Sequence, residues 1–186
     1  MIPRAAVLPP PAWHWGVRME YVRIGCACLV ALVFAVTAVS KVRDFDAFRR
    51  SLPALVPVPH GALRPLAVAV VLLEALVPVL VLVPATTSYG LGLAGLMLVA
   101  FTVAIAVALA RGQHAPCRCF GASATPLGAR HLVRNSLLVI AAALGVLLPD
   151  GLPALGGMAL AGAAGAIGAI LIVTFDDVVD LFARNS

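Results

Sequence analysis

Five long apolar stretches, separated by short polar segments, occupy most of this sequence of 186 residues. The first lies between Arg23 and Lys41, and its 17 uncharged residues can cross a thin hydrocarbon core at about 1.5 Å of rise per residue. Overall, 62% of the residues are hydrophobic and 11% are charged, so a water-soluble fold would lack the polar surface to cover itself. The sequence therefore predicts an all-α integral membrane protein.

Charges, prolines and polar turns bound the predicted membrane helices. We expect these helices at about residues 21–40, 65–84, 88–110, 131–148 and 153–174. The chain has room for one membrane domain with short loops, but not for a soluble domain of ordinary size. The predicted organisation is a flexible Pro-rich segment at 1–18, a four-helix transmembrane bundle at 19–149, and a fifth C-terminal transmembrane helix with a short tail at 150–186.

An amphipathic helix is predicted at residues 42–55, between the first two membrane helices. Its apolar residues recur at helical spacing with Arg and Asp between them: Val42, Phe45, Phe48, Leu52 and Leu55. This pattern favours a helix that lies in the plane of the membrane interface. We expect Pro53 to kink or end it.

Small residues mark one face of the fifth membrane helix. They are spaced four apart, at Gly157, Ala161, Gly165 and Ala169. A neighbouring backbone can approach such a face closely, so we predict that it packs inside the bundle. The competing interpretation is that a GC-rich genome simply supplies Ala and Gly.

The net charge of +5 comes from 13 Lys and Arg that lie between the apolar stretches and form no dense basic block. This distribution argues against a nucleic-acid partner. Most of these residues fall in two long segments, 41–64 and 111–130, that emerge on the same face of the bundle. The positive-inside rule predicts that this face is cytoplasmic.

Two cysteines sit one residue apart in the polar loop between the third and fourth membrane helices, within Ala115-Pro116-Cys117-Arg118-Cys119-Phe120-Gly121. The intervening Arg118 favours thiolate over thiol, and a disulfide between such close neighbours would be strained and easily passed on. Three interpretations remain open: thiol–disulfide exchange, a soft-metal site with His114 as a third ligand, and no chemistry. Our predicted site uses the first and contains no metal. Cys26 and Cys28 point to nearly opposite sides of the first helix, and we predict that they only fill space.

Glu74 is predicted to lie close to the middle of the membrane, where an unpaired carboxylate is costly and a functional role is the default hypothesis. Lys41 and Arg134 can reach toward it from the ends of their helices. With Asn135, these residues should converge on the face that carries the cysteine loop. The alternative is an ion pair that only fixes the bundle.

Several of these residues form a familiar combination: Met19-Glu20-Tyr21-Val22, Lys41, Glu74, Cys117-Arg118-Cys119-Phe120-Gly121 and His131-Leu132-Val133-Arg134-Asn135. The sequence resembles the methylamine utilisation protein MauE family, grouped with the DoxX-like redox-associated membrane proteins. The similarity spans about residues 19–149. The cysteine loop followed by Arg134 and Asn135 is its most specific part.

The resemblance implies a four-helix membrane core and an accessory role, rather than a stand-alone enzyme. Members of this family are thought to act with a thioredoxin-like protein in processing, export or maturation of the disulfide-rich small (beta) subunit of methylamine dehydrogenase. By position, Cys117 and Cys119 would be the redox pair. A pair on the cytoplasmic face, where thiols are normally reduced, would instead take electrons from a cytoplasmic thioredoxin and pass them outward.

Two other function classes fit the same residues. One is a quinone-linked membrane oxidoreductase subunit of DoxX type, with the quinone bound near Glu74. The other is a small cation- or proton-handling module of the cell membrane that uses Glu74, with the cysteines incidental or metal-bound.

Overall fold

The computed structural model describes residues 13–112, 129–151 and 154–183, and it describes side chains for 19–112, 130–151 and 154–175. Within these residues the chain forms six α-helices, with short 3₁₀ turns at His60–Ala62 and Pro84–Thr86. The helices are α1 (Trp13–Arg43), α2 (Phe45–Leu55), α3 (Leu63–Leu82), α4 (Thr87–Ala110), α5 (Ala129–Leu147) and α6 (Leu155–Ala183).

Five of these helices, all except α2, are long and apolar enough to cross a membrane. The apolar spans are Met19–Arg43, His60–Leu82, Pro84–Ala110, Arg130–Leu147 and Leu155–Phe175. The predicted all-α membrane fold is confirmed. Helix α1 begins at Trp13, before the expected start near residue 21, so the end of the segment predicted to be a flexible lead-in is helical.

A closed four-helix arrangement forms the centre of the molecule. Helix α1 packs against α3, α3 against α4, α4 against α5, and α5 returns to α1, while α6 packs chiefly against the outside of α1. The core residues come from all four inner helices and include Val30, Val33, Phe34, Val77, Leu91, Leu98 and Leu138. Successive spans run in opposite directions, so the connections after α1 and after α4 leave the bundle at the same end. We call this the loop end.

The small-residue face of α6 is the surface that contacts α1. A Cβ atom on Gly165 would overlap the carbonyl oxygen of Gly25 and lie 3.0 Å from Cβ of Cys28, while a Cβ on Gly25 would lie 3.3 Å from the oxygen of Ala161. Ala169 is buried in the same interface. These short distances confirm the predicted close packing of this face. Two helix backbones can come this close only where no side chain lies between them.

Helix α2 packs its apolar face on the protein itself. Phe48 and Leu52 are buried against α3, and Leu55 is buried against Ile105 of α4. Val42, which we had placed on this face, belongs to α1 and is 63% exposed. The helix continues through Pro53 and ends two residues later at Leu55. It therefore covers the loop end of α3 and α4.

A buried arginine joins three helices at the opposite end. Arg23 of α1 donates hydrogen bonds to the carbonyl oxygen of Gly145 in α5 and to the hydroxyl of Ser88 in α4, both at 2.9 Å, and it pairs with Asp150. The sequence indicates only that Arg23 bounds the first span. In the structure the side chain of Arg23 is almost fully removed from solvent, and it links α1 to α4 and α5 from inside the protein.

The contact between α6 and α1 predicts different effects on stability when two nearby glycines of α6 are replaced by alanine. Gly165→Ala should lower the free energy of unfolding by about 1–3 kcal/mol, because the new methyl group overlaps the Gly25 carbonyl. Gly162→Ala is the matched control, since its Cβ meets nothing within 4 Å, and it should leave stability unchanged or raise it by up to about 1 kcal/mol. Denaturant titration of the purified protein in mild detergent measures both. Equal effects of the two substitutions would contradict the packing described here.

Candidate functional site

An ion pair lies inside the membrane-spanning bundle. Lys41 is in the last turn of α1, and Glu74 is near the middle of α3, about 16 Å along the helix axis from Leu63. The ammonium of Lys41 donates a hydrogen bond to Oε1 of Glu74. The two residues are only 3% and 2% exposed. The structure therefore contains the contact between Lys41 and Glu74 that the sequence predicts.

Two aromatic rings complete the surroundings of the lysine. The ammonium of Lys41 lies 5.2 Å from the ring centre of Phe48 in α2 and 5.6 Å from that of Phe101 in α4. Both distances are within the range of a cation–π interaction. Because Glu74 and the two rings come from three different helices, a single lysine side chain links α1 to α2, α3 and α4.

Helix α5 adds polar side chains to the same end of the bundle. His131, Arg134 and Asn135 are all buried, and their spacing places them on one helix face. Arg134 lies close enough to act electrostatically on Lys41. We had predicted Arg134 and Asn135 but not His131. Its position three residues before Arg134, on the same face of the helix, is the sequence signal that would have identified it.

Part of this polar group has hydrogen-bonding capacity left over. Among the residues that the structure describes, no partner reaches Oε2 of Glu74 or either polar atom of the Asn135 amide. Asn135 is fully buried. Buried polar atoms are normally hydrogen-bonded, so these atoms can accept and donate further bonds. Chemically, the arrangement can hold a proton or a small polar group beside a fixed ion pair.

The predicted redox residues Cys117, Arg118 and Cys119, like His114, lie outside the described residues, and their role stays a prediction. Cys26 and Cys28 are free thiols, as expected. The Cys28 thiol lies 3.3 Å from the carbonyl oxygen of Gly162, in the contact between α1 and α6. In the described part of the chain, no three His, Cys, Asp or Glu side chains are grouped so as to hold a metal ion.

Removing one member of the ion pair should destabilise the protein far more than removing both. Lys41→Met leaves a buried carboxylate without its cation, and Glu74→Leu leaves a buried ammonium, so each should cost about 3–5 kcal/mol. The double variant Lys41→Met/Glu74→Leu should recover most of that loss, because neither charge remains. A double-mutant cycle of unfolding free energies in detergent measures the coupling. Strict additivity of the two single losses would contradict the pairing.

The match to a known family covers the membrane spans of all four inner helices. The family model described as methylamine utilisation protein MauE matches residues 19–148, more than two thirds of the chain. Searches of curated proteins and of solved structures returned no match. The matched region contains the ion pair, the polar face of α5 and the cysteine segment, and it ends before α6. This multi-pass membrane protein therefore belongs to the methylamine utilisation protein MauE family.

Proposed function

We propose that this protein is an accessory protein of the cell membrane in methylamine utilisation, and that it supports maturation of a disulfide-bearing partner by thiol–disulfide exchange. The observation that carries the proposal is the family match, which includes Cys117, Arg118 and Cys119 together with the buried polar group. The client that the family resemblance implies is the disulfide-rich small subunit of methylamine dehydrogenase. A thioredoxin-like protein is the implied redox partner.

In the proposed exchange, a disulfide between Cys117 and Cys119 passes to a dithiol of the client. A client thiolate attacks one sulfur of the pair and forms a mixed disulfide, which releases the other cysteine as a thiolate. The second client thiolate then attacks the mixed disulfide and completes the client's own disulfide. Two electrons move from the client to the pair, and the two client thiols lose their protons. The disulfide form of the thioredoxin-like partner reoxidises the pair by the reverse sequence of steps.

The charges around the segment support this chemistry. Arg111 at the end of α4 and Arg130 at the start of α5 flank the cysteine segment in the chain, and Arg118 lies between the two cysteines. Positive charge near a thiol favours the thiolate, which is the form that exchanges. The buried ion pair has a positioning role in this proposal. It ties the end of α1 to α3 at the loop end, from which the segment leaves the bundle.

Replacement of either cysteine tests the proposal directly. Cys117→Ser and Cys119→Ser should each abolish most of the disulfide form of the small subunit in cells, because a single thiol cannot complete the exchange. Alkylation of free thiols followed by gel electrophoresis measures the client's redox state. Cys26→Ser and Cys28→Ser are the matched controls in the same chain and should have no effect. A client that is fully oxidised in both Cys117→Ser and Cys119→Ser cells would contradict the proposal.

Thiol labelling in cells shows on which side of the membrane the exchange occurs. In a Cys26→Ala/Cys28→Ala background, a membrane-impermeant maleimide added to intact cells labels only outward-facing thiols. Labelling that follows external reductant places an oxidised pair outside the cytoplasm. Labelling only after lysis places the pair inside, as the positive-inside rule predicts, and would contradict this oxidative exchange, because a cytoplasmic thioredoxin is kept reduced and gives electrons to the pair.

One observation favours a second function, a proton- or cation-handling module. Glu74 Oε2 is buried in the bundle and has no hydrogen-bond partner among the described residues, so the carboxylate has a free face beside Lys41. Intramembrane carboxylates of this kind commonly carry protons or cations. Loss of function in Glu74→Gln, combined with full function in both cysteine variants, would select this second candidate over thiol exchange.

A further inference from the structure

A cleft of about 350 Å³ opens where the chain leaves α2 and turns into α3. Its walls are Arg49, Arg50, Pro53, His60 and Leu63. Three of these five side chains carry basic groups, whereas the buried core nearby is apolar. The volume is that of a site for a small ligand or for one polar group of a larger one. We propose that this cleft binds the phosphate-bearing headgroup of an anionic phospholipid.

The charge of the cleft matches a phosphate group. Arg50 and His60 are exposed, and both line the cleft. Arg49 pairs with Asp46 at 3.3 Å, but both side chains are substantially exposed, and such surface pairs contribute little stability. The guanidinium of Arg49 can therefore turn to a stronger partner. Guanidinium groups bind phosphate oxygens in pairs of parallel hydrogen bonds, which suits a fixed headgroup.

The start of α3 adds positive potential to the same cleft. Its first residue, Leu63, lines the wall, and the backbone N–H of Leu63 already donates to the carbonyl oxygen of His60, so the helix contributes through its dipole. The positive end of a helix dipole favours an anion at the helix N-terminus. This contribution reinforces that of the two arginines.

The depth of the cleft indicates that its ligand is a lipid. The second apolar span begins at His60, so the cleft lies at the boundary between that span and the polar loop, where headgroups lie in a bilayer. Beyond this boundary, the outer face of α3 exposes Val68, Leu72 and Val79. Acyl chains can lie along that face while the phosphate sits in the cleft. Basic pockets at the ends of membrane helices bind acidic lipid headgroups by the same chemistry.

The test compares lipid binding to the purified full-length chain by native mass spectrometry. Wild-type protein in detergent should retain phosphatidylglycerol more tightly than phosphatidylcholine. Arg49→Gln/Arg50→Gln should weaken phosphatidylglycerol binding about thirtyfold, at roughly fivefold for each arginine. Phosphatidylcholine binding should not change. Both arginines lie outside the buried core, and thermal unfolding in phosphatidylcholine checks that the variant is folded.

Arg43→Gln/Arg111→Gln is the matched control, because both residues are exposed at the loop end and neither lines the cleft. It should keep phosphatidylglycerol affinity within a few-fold of wild type. An equal loss in this control would overturn the proposal in favour of general surface charge, and so would the absence of any preference for phosphatidylglycerol. Displacement of the lipid by millimolar inorganic phosphate would show that the cleft takes a free anion, which also overturns it.

Discussion

Lys41 and Glu74 neutralise each other inside the membrane-spanning bundle, and the arrangement of the inner helices depends on this pair. Two opposite charges withdrawn from water are tolerated only with good geometry and additional partners. The rings of Phe48 and Phe101 meet that need on the lysine side, at 5.2 and 5.6 Å. The pair thus fixes where α2 and α4 approach α1 and α3.

A second buried cation holds the other end of the same helix. Arg23 lies 18 residues before Lys41 in α1, about 27 Å along the axis, which is close to the thickness of a hydrocarbon core. It binds α4 and α5 through Ser88 and Gly145, whereas Lys41 binds α3 and reaches the rings of α2 and α4. Each end of the bundle is therefore joined by one cation from α1. The glycine face of α6 packs on the outside of this same helix, so α1 is the centre of the fold.

The spans and the ion pair could be predicted from sequence because both follow from the cost of polarity in lipid. An acidic residue in an apolar stretch needs a cation, and Lys41 stands at the matching end of a neighbouring helix. The buried role of Arg23 could not be predicted, since a charge near the end of a span normally reaches the headgroups. Its partner, the Gly145 carbonyl, lies 122 residues away in the chain. The packing of α2 on α3, which brings His60 close to Arg49, is likewise a tertiary contact. The hydrophobic periodicity of the sequence could not predict it.

The charge state of Glu74 is the property that decides whether an ion pair joins these helices. Infrared difference spectroscopy of the protein in lipid, with Glu74→Gln as the reference, isolates the signal of this one side chain. We expect an ionised carboxylate at neutral pH, because Lys41, a cation beside two aromatic rings, donates its hydrogen bond to Oε1 of Glu74. The carbonyl band of a protonated carboxylic acid in the wild type, absent from the Gln variant, would show that no ion pair exists. That result would contradict the central role of the Lys41–Glu74 pair.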